Sequence, residues 1–261
     1  MQRIAMVVEF DGKLFHGWQR QNNASSAQAT IEDALAKIEG VEGKLVAAGR
    51  TDSGVHAEAL LVHADVSRER WLRSHRAYTQ GLNQLLPEGV CMTGVRAVKR
   101  DFHARFDCLE RRYRYQIWNR STPSAIHRWH HWWVPRTVAL DAMQEASKCL
   151  IGKHDFTSFR ASGCQASTAI REIRQISIRQ QGCEVFIDIH ADAFLYHMVR
   201  NIVGSLARVG SGGWHPDKVA EVLKANDRNQ AAATAPAHGL YFTDAIYAEF
   251  SSSELIGNEL S

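Results

Sequence analysis

The sequence predicts an α+β fold on a mixed or mainly antiparallel sheet. Two periodicities take turns along the chain. Alternating apolar side chains mark strands, and apolar residues three or four apart mark helices. A hairpin supplies the third sign: Glu172–Ile178 and Glu184–His190 are strand-like runs joined through Gln181-Gly182. The 261 residues suit one large or two modest domains. The expected division is an α+β half over 1–100, a second over 101–250, and a loose tail over 251–261.

In the first half, Ile4, Met6, Val8 and Phe10 form one apolar strand face, ended by the turn Asp11-Gly12-Lys13. The loop that follows holds Gly17-Trp18-Gln19, either a packed loop with a buried Trp or a substrate contact. Ser25 and Gln28 have capping-box spacing. They open a helix through Ile31, Leu35 and Ile38 that Gly40 stops. Short apolar runs at 45–48 and 59–62 read as strands around a tight loop. Trp71, Tyr78, Leu82 and Leu85 predict one helix ending before Pro87, and Val90 to Lys99 a strand.

In the second half, Arg111-Arg112-Tyr113-Arg114-Tyr115-Gln116-Ile117-Trp118 alternates rings with cations, as a strand with an aromatic face would. Ile126 to Val134 carries His127, His130, His131 and three Trp, without a recognised ligand spacing, and reads as a packed strand or subunit interface. Leu140, Met143 and Leu150 predict a helix ended by Gly152. Val199, Ile202, Val203, Leu206 and Val209 predict another, which Arg200 shares. Pro216 opens a further helix, and Gly239 starts a last strand reaching Phe250.

Composition narrows the function. Net charge is only +3, but Arg96, Lys99, Arg100, Arg105, Arg111, Arg112 and Arg114 concentrate positive charge in one stretch. Rings beside arginines are what single-stranded nucleic acid needs for stacking and backbone contact, so Arg105, Arg111, Arg112 and Arg114 read as carriers of RNA affinity. Five scattered cysteines, none in Cys-x-x-Cys spacing, indicate free thiols in a reducing compartment. No signal peptide or membrane span is legible, so a cytoplasmic protein is expected. A zinc nucleobase deaminase needs a Cys-x-x-Cys that is absent.

The organising stretch is Gly49-Arg50-Thr51-Asp52-Ser53-Gly54-Val55-His56-Ala57. Its glycines allow a sharp turn and close backbone approach. Between them lie one guanidinium, one carboxylate and two hydroxyls. Asp52 is thus a turn-former, a nucleophile or an electrostatic stabiliser. The stretch resembles the signature of the tRNA pseudouridine synthase A family, with Ser53 where that family often has Ala. The likeness continues through the Asp11-Gly12 turn and Gly17-Trp18-Gln19, Phe102 to Phe106, Arg112-Tyr113-Arg114-Tyr115, His154 to Arg160, Phe194 to Asn201 and Gly239-Leu240-Tyr241.

The resemblance implies two ferredoxin-like halves with mainly antiparallel sheets joined into one extended sheet, helices on one side and a basic cleft between the halves. It implies a homodimer that isomerises uridine to pseudouridine at positions 38, 39 and 40 of tRNA, without cofactor or metal. Asp52 would be the nucleophile. Tyr113 would pack against the target base, Arg50 would help displace it, and Arg200 would pair with Asp52. Leu240 would help keep the loosened base in place. Phe102, His103, Ala104, Arg105 and Phe106, with Gly163, Cys164, Gln165, Ala166 and Ser167, would contact the RNA. The rival reading is a non-catalytic RNA-binding protein of the same fold, which would have no need of an anion beside Arg50.

Overall fold

The computed structural model describes residues 1–21, 24–257 and 259–260. Two compact units emerge, Met1–Arg111 with Tyr241–Ser261, and Arg112–Leu240. The sequence instead suggests a break near residue 100 and a free tail.

The first unit begins with β1 (Gln2–Phe10), then α1 (Ala27–Glu39), β2 (Val46–Ala47), β3 (His56–Val66), the short helices α2 (Arg68–Arg73) and α3 (Gln80–Asn83), and β4 (Val90–Ala97). β1 lies antiparallel between β3 and β4. A central strand is covered on both faces, and Ile4 through Val8 are all buried rather than one face alone. The N-cap of α1 is Ser26, not Ser25: its Oγ accepts the Ala29 N–H at 3.3 Å. Gln28 is thereby freed to accept the Arg20 N–H and to donate to Glu32. Gly40 ends α1 at φ 73°. The single helix expected up to Pro87 is broken at Ser74, whose backbone is extended. The apolar spacing survives because Trp71, Tyr78 and Leu82 still reach the core.

The second unit starts at β5 (Glu110–Asn119), where Tyr113, Tyr115 and Ile117 form the buried face. β6 (Trp132–Val134) pairs parallel with its end, so only three residues of the His/Trp-rich segment form strand. α4 (Leu140–Ser147), β7 (Gly152–Asp155), β8 (Ile170–Gln181) and β9 (Glu184–Ala191) follow. β8 runs antiparallel to β7 and β9, with Gln181 opposite Glu184 at the expected hairpin turn. α5 (Met198–Gly210) and α6 (Lys218–Ala225) complete this unit.

The chain then returns to the first unit. β10 (Leu240–Ile246) sets Tyr241 opposite His56 of β3 in parallel register. Beyond it, Ser251, Ser252 and Leu255 are buried, and the Gly257 N–H donates to the Thr93 carbonyl at 2.9 Å. The backbone of β11 (Glu259–Leu260) pairs parallel with β4. Residues 251–257 are therefore a packed element and not a loose tail: Asp244 accepts hydrogen bonds from the Ser252 and Ser253 hydroxyls, and Leu255 fills the core. The fold is α+β with mostly antiparallel strands, as expected.

Candidate functional site in the loop of Asp52

Between β2 and β3 the chain makes a β-turn from Asp52 to Val55, with the Val55 N–H donating to the Asp52 carbonyl at 3.1 Å. Gly54, at φ 80°, takes the position that an L side chain resists. Asp52 is half-buried, Arg50 and Ser53 are exposed, and Val55 to Ala57 are buried. The Thr51 hydroxyl is buried without a hydrogen-bond partner. Asp52 is therefore presented at a surface whose supports lie beneath it.

Those supports come from the opening motif. The Trp18 N–H donates to the Thr51 carbonyl at 3.1 Å, and Trp18 itself is only 2% exposed, which makes it a packing residue and not a substrate contact. A Cβ on Gly17 would sit 2.9 Å from the Thr51 oxygen, and one on Gly12 would sit 2.1 Å from the Val55 oxygen. Both positions need glycine because backbone lies against backbone there. The Gly12 N–H donates to His56 Nδ1 at 3.1 Å, and the His56 ring stacks on Tyr241 with centroids 4.6 Å apart. The mostly buried Glu32 carboxylate accepts from the Leu45 N–H at 2.9 Å and from Arg20 Nε at 2.8 Å. One carboxylate thus ties the end of the opening motif to the run that leads into the loop. Motif reading quotes Gly12, Gly17 and His56 without giving them this supporting role, and passes over Glu32.

The first unit also carries the segment Phe102 to Phe106. Phe102 packs with Tyr247 and Phe250. His103 Nδ1 accepts the Arg105 and Phe106 N–H groups, each at 3.2 Å. Ala104 is fully buried between the Tyr247 hydroxyl on its carbonyl and His63 Nδ1 on its N–H. This shape leaves Arg105 exposed and the Phe106 ring 76% exposed, stacked on His103 with centroids 4.2 Å apart. The result is a preformed ring platform beside a cation.

Burial, followed by the nearby Arg3 and His103, lowers the His63 pKa to about 4. Because the folded value lies below the unfolded one, its contribution is complete above about pH 6.5 and is lost as pH falls towards 4. We expect this one imidazole to cost on the order of 2–3 kcal/mol of stability across that window. Urea titrations at pH 7 and pH 4 should show a smaller loss for His63→Gln, and equal losses would exclude His63 as the titrating group.

Two of the arginines read as RNA contacts are engaged with internal acceptors. Arg111 donates to the carbonyls of Ala48, Cys108 and Arg105, tying the end of β2 to the ring platform. Arg114 pairs with Asp188 of β9 at 2.8 Å. A charge pattern cannot distinguish a solvated guanidinium from one spent on internal acceptors.

In the second unit, Tyr113 is 7% exposed and meets Phe194 edge-on at 5.0 Å. Leu240 is buried and follows Gly239, where a Cβ would lie 2.8 Å from the Tyr115 ring. Tyr115 and Tyr113 share the buried face of β5. Arg200, at the start of α5, donates through Nε to the Ala235 carbonyl at 2.8 Å and accepts the Ala235 N–H on its own carbonyl. Gly163 to Ser167 form a largely exposed loop, with Arg160 donating to the carbonyls of Cys164 and Ala166. Each unit therefore carries its own share of the expected site: Asp52, Arg50 and the ring platform in one, Tyr113, Arg200, Leu240 and residues 163–167 in the other.

These features define a class first. Residues 146–248 match the family model described as tRNA pseudouridine synthase. Along nearly its whole length the chain is 44% identical to a tRNA pseudouridine synthase A of Shewanella amazonensis, covering 95% of this chain and 94% of that protein. The corresponding proteins of Legionella pneumophila strain Lens and Hydrogenovibrio crunogenus are 42% and 44% identical, over 94% and 95% of this chain and 92% and 94% of theirs. The chain belongs to the tRNA pseudouridine synthase A family and is an isomerase acting on uridine in tRNA. Among the described residues no helix is long and apolar enough to cross a membrane.

Proposed function

We propose that this enzyme converts uridine to pseudouridine in the anticodon stem-loop, at positions 38 to 40, with Asp52 as the nucleophile. The observation that carries the reading is the support of the Asp52 turn: Gly12, Gly17, Trp18 and His56 fix the backbone on which one carboxylate is presented. The reaction breaks the N-glycosidic bond, turns the freed uracil and rejoins it through carbon. A carboxylate can open it by attack on the sugar carbon or on the pyrimidine ring. A stacked base is out of reach, so it must be flipped, at a cost of a few kcal/mol recovered against an aromatic ring. Tyr113 is that ring, and Leu240 helps to prevent escape of the base. The family resemblance assigns Arg200 to the Asp52 charge. A cytoplasmic homodimer belongs to the same reading, supported by the family resemblance.

Mapping pseudouridine in tRNA from a strain lacking this gene tests the proposal, since persistence of the modification at all three positions would overturn it. RNA affinity should come from Arg105 and Arg112, not from Arg111 or Arg114. Changing either of the first two to Ala should lower the salt dependence of tRNA binding by about one unit of slope. Arg111→Ala should instead lower the melting temperature. Filter binding across a salt series checks both, and an unchanged slope in Arg105→Ala would move the RNA path away from the ring platform.

A further inference from the structure

Glu184 lies 53 residues beyond His131 in sequence, yet its Oε1 is 2.9 Å from His131 Nε2. His127 joins them. The His131 N–H donates to the His127 carbonyl at 3.0 Å, so residues 127 to 131 close one helical turn. The ligating atoms of His127, His131 and Glu184 lie within 4.8 Å of one another, and the two imidazole centroids are 4.8 Å apart. All three residues belong to the second unit and none takes part in the site proposed above.

From this geometry we propose that His127, His131 and Glu184 form a binding site for a divalent transition-metal ion of the Zn2+ class. Two imidazoles and one carboxylate, with water in the fourth position, are an established donor set for that ion. A tetrahedral ion about 2.1 Å from each donor holds the donor atoms about 3.4 Å apart. The widest separation here therefore has to contract by at most about 1.4 Å. The His131 side chain is only 5% exposed, and its Nε2 already faces the Glu184 carboxylate at 2.9 Å, so both donors border the same space. Ligation through Nε2 makes Glu184 the neighbouring ligand and places the ring proton on Nδ1.

Trp118 walls the cluster, its ring centroid 4.8 Å from that of His127 and 6.0 Å from that of His131. His127 and Glu184 are partly exposed, which leaves a way in for the ion and a place for water. Bound there, the ion would clip the turn after Ser124 onto the first residue of β9.

The test uses the full chain, stripped with a chelator and titrated with Zn2+ by calorimetry, then with Co2+ for its visible ligand-field bands. We expect one equivalent to bind, Co2+ bands of a low-coordinate site, and a melting temperature that rises with Zn2+. Glu184→Gln and His127→Gln preserve size and packing, and each should weaken binding by at least ~10-fold. The proposal is overturned if the stripped protein binds no stoichiometric Zn2+, or if His127→Gln and Glu184→Gln bind it as the wild type does. Activity is not the readout, so neither result bears on the function of Asp52.

Discussion

Asp52→Asn is expected to reduce pseudouridine formation by ~10^4-fold or more, because the amide keeps the size of the carboxylate and loses its nucleophilic charge. tRNA affinity should stay within about tenfold, since one carboxylate contributes little to holding a polyanion. The two outcomes together are diagnostic. A collapse of the loop would disturb stability and binding as well. Here the turn is closed by the Asp52 carbonyl and by Gly54, and Asn keeps both, so the turn should stand. Single-turnover assays with saturating enzyme separate chemistry from binding. A variant that kept a substantial part of the wild-type rate would remove Asp52 from the role of nucleophile.

Tyr113→Phe should cost ~100- to 10,000-fold in rate while binding and base flipping persist. Phe keeps the ring that meets Phe194 edge-on and the volume that fills this end of β5. What it loses is the phenolic oxygen. Rejoining through carbon requires a proton to leave that carbon, while the Asp52 carboxylate is engaged with the sugar or the ring. Tyr113, proposed above as the ring that receives the base, is the group this variant tests for taking that proton, directly or through a water. Tyr113→Ala should lose binding as well. Tritium release from carbon-5-labelled uridine in tRNA reports the proton step, and release at the wild-type rate from Tyr113→Phe would leave the ring as a platform only.

The Asp52 loop stands out in the sequence because its neighbours are unusual together, a guanidinium, a carboxylate and two hydroxyls in a glycine-bounded turn between strands. Those residue types leave Asp52 a turn-former, a nucleophile or a stabiliser, and only the family resemblance singles out the nucleophile. The supports of that turn are not legible, because each is an ordinary residue until the backbone is closed. Gly12 and Gly17 read as turn residues, yet the structure needs them for the contact of two backbones. Glu32 belongs to no motif, and the structure buries it against Leu45 and Arg20. Periodicity finds where apolar groups face but not where the backbone breaks. Hence the stretch around Trp71 and Tyr78 reads as one helix and folds as short pieces. Residues after Phe250 look like a tail because their anchors are serine hydroxyls and backbone amides, groups that leave no apolar pattern.

The stacking of Tyr241 on His56 also sets an order of events during synthesis. A ribosome releases the chain from its N-terminus at about 5–20 residues per second. The opening motif, Glu32 and the whole Asp52 loop therefore leave it tens of seconds before the residue that backs His56 exists. Over that interval β3 lacks β10 on its free edge, and β4 lacks the Leu255 segment and β11. A translation product that stops short of residue 241 would carry the entire Asp52 signature on an unfinished sheet. A stalled ribosome would thus release an inactive fragment with an unpaired strand edge, prone to aggregation.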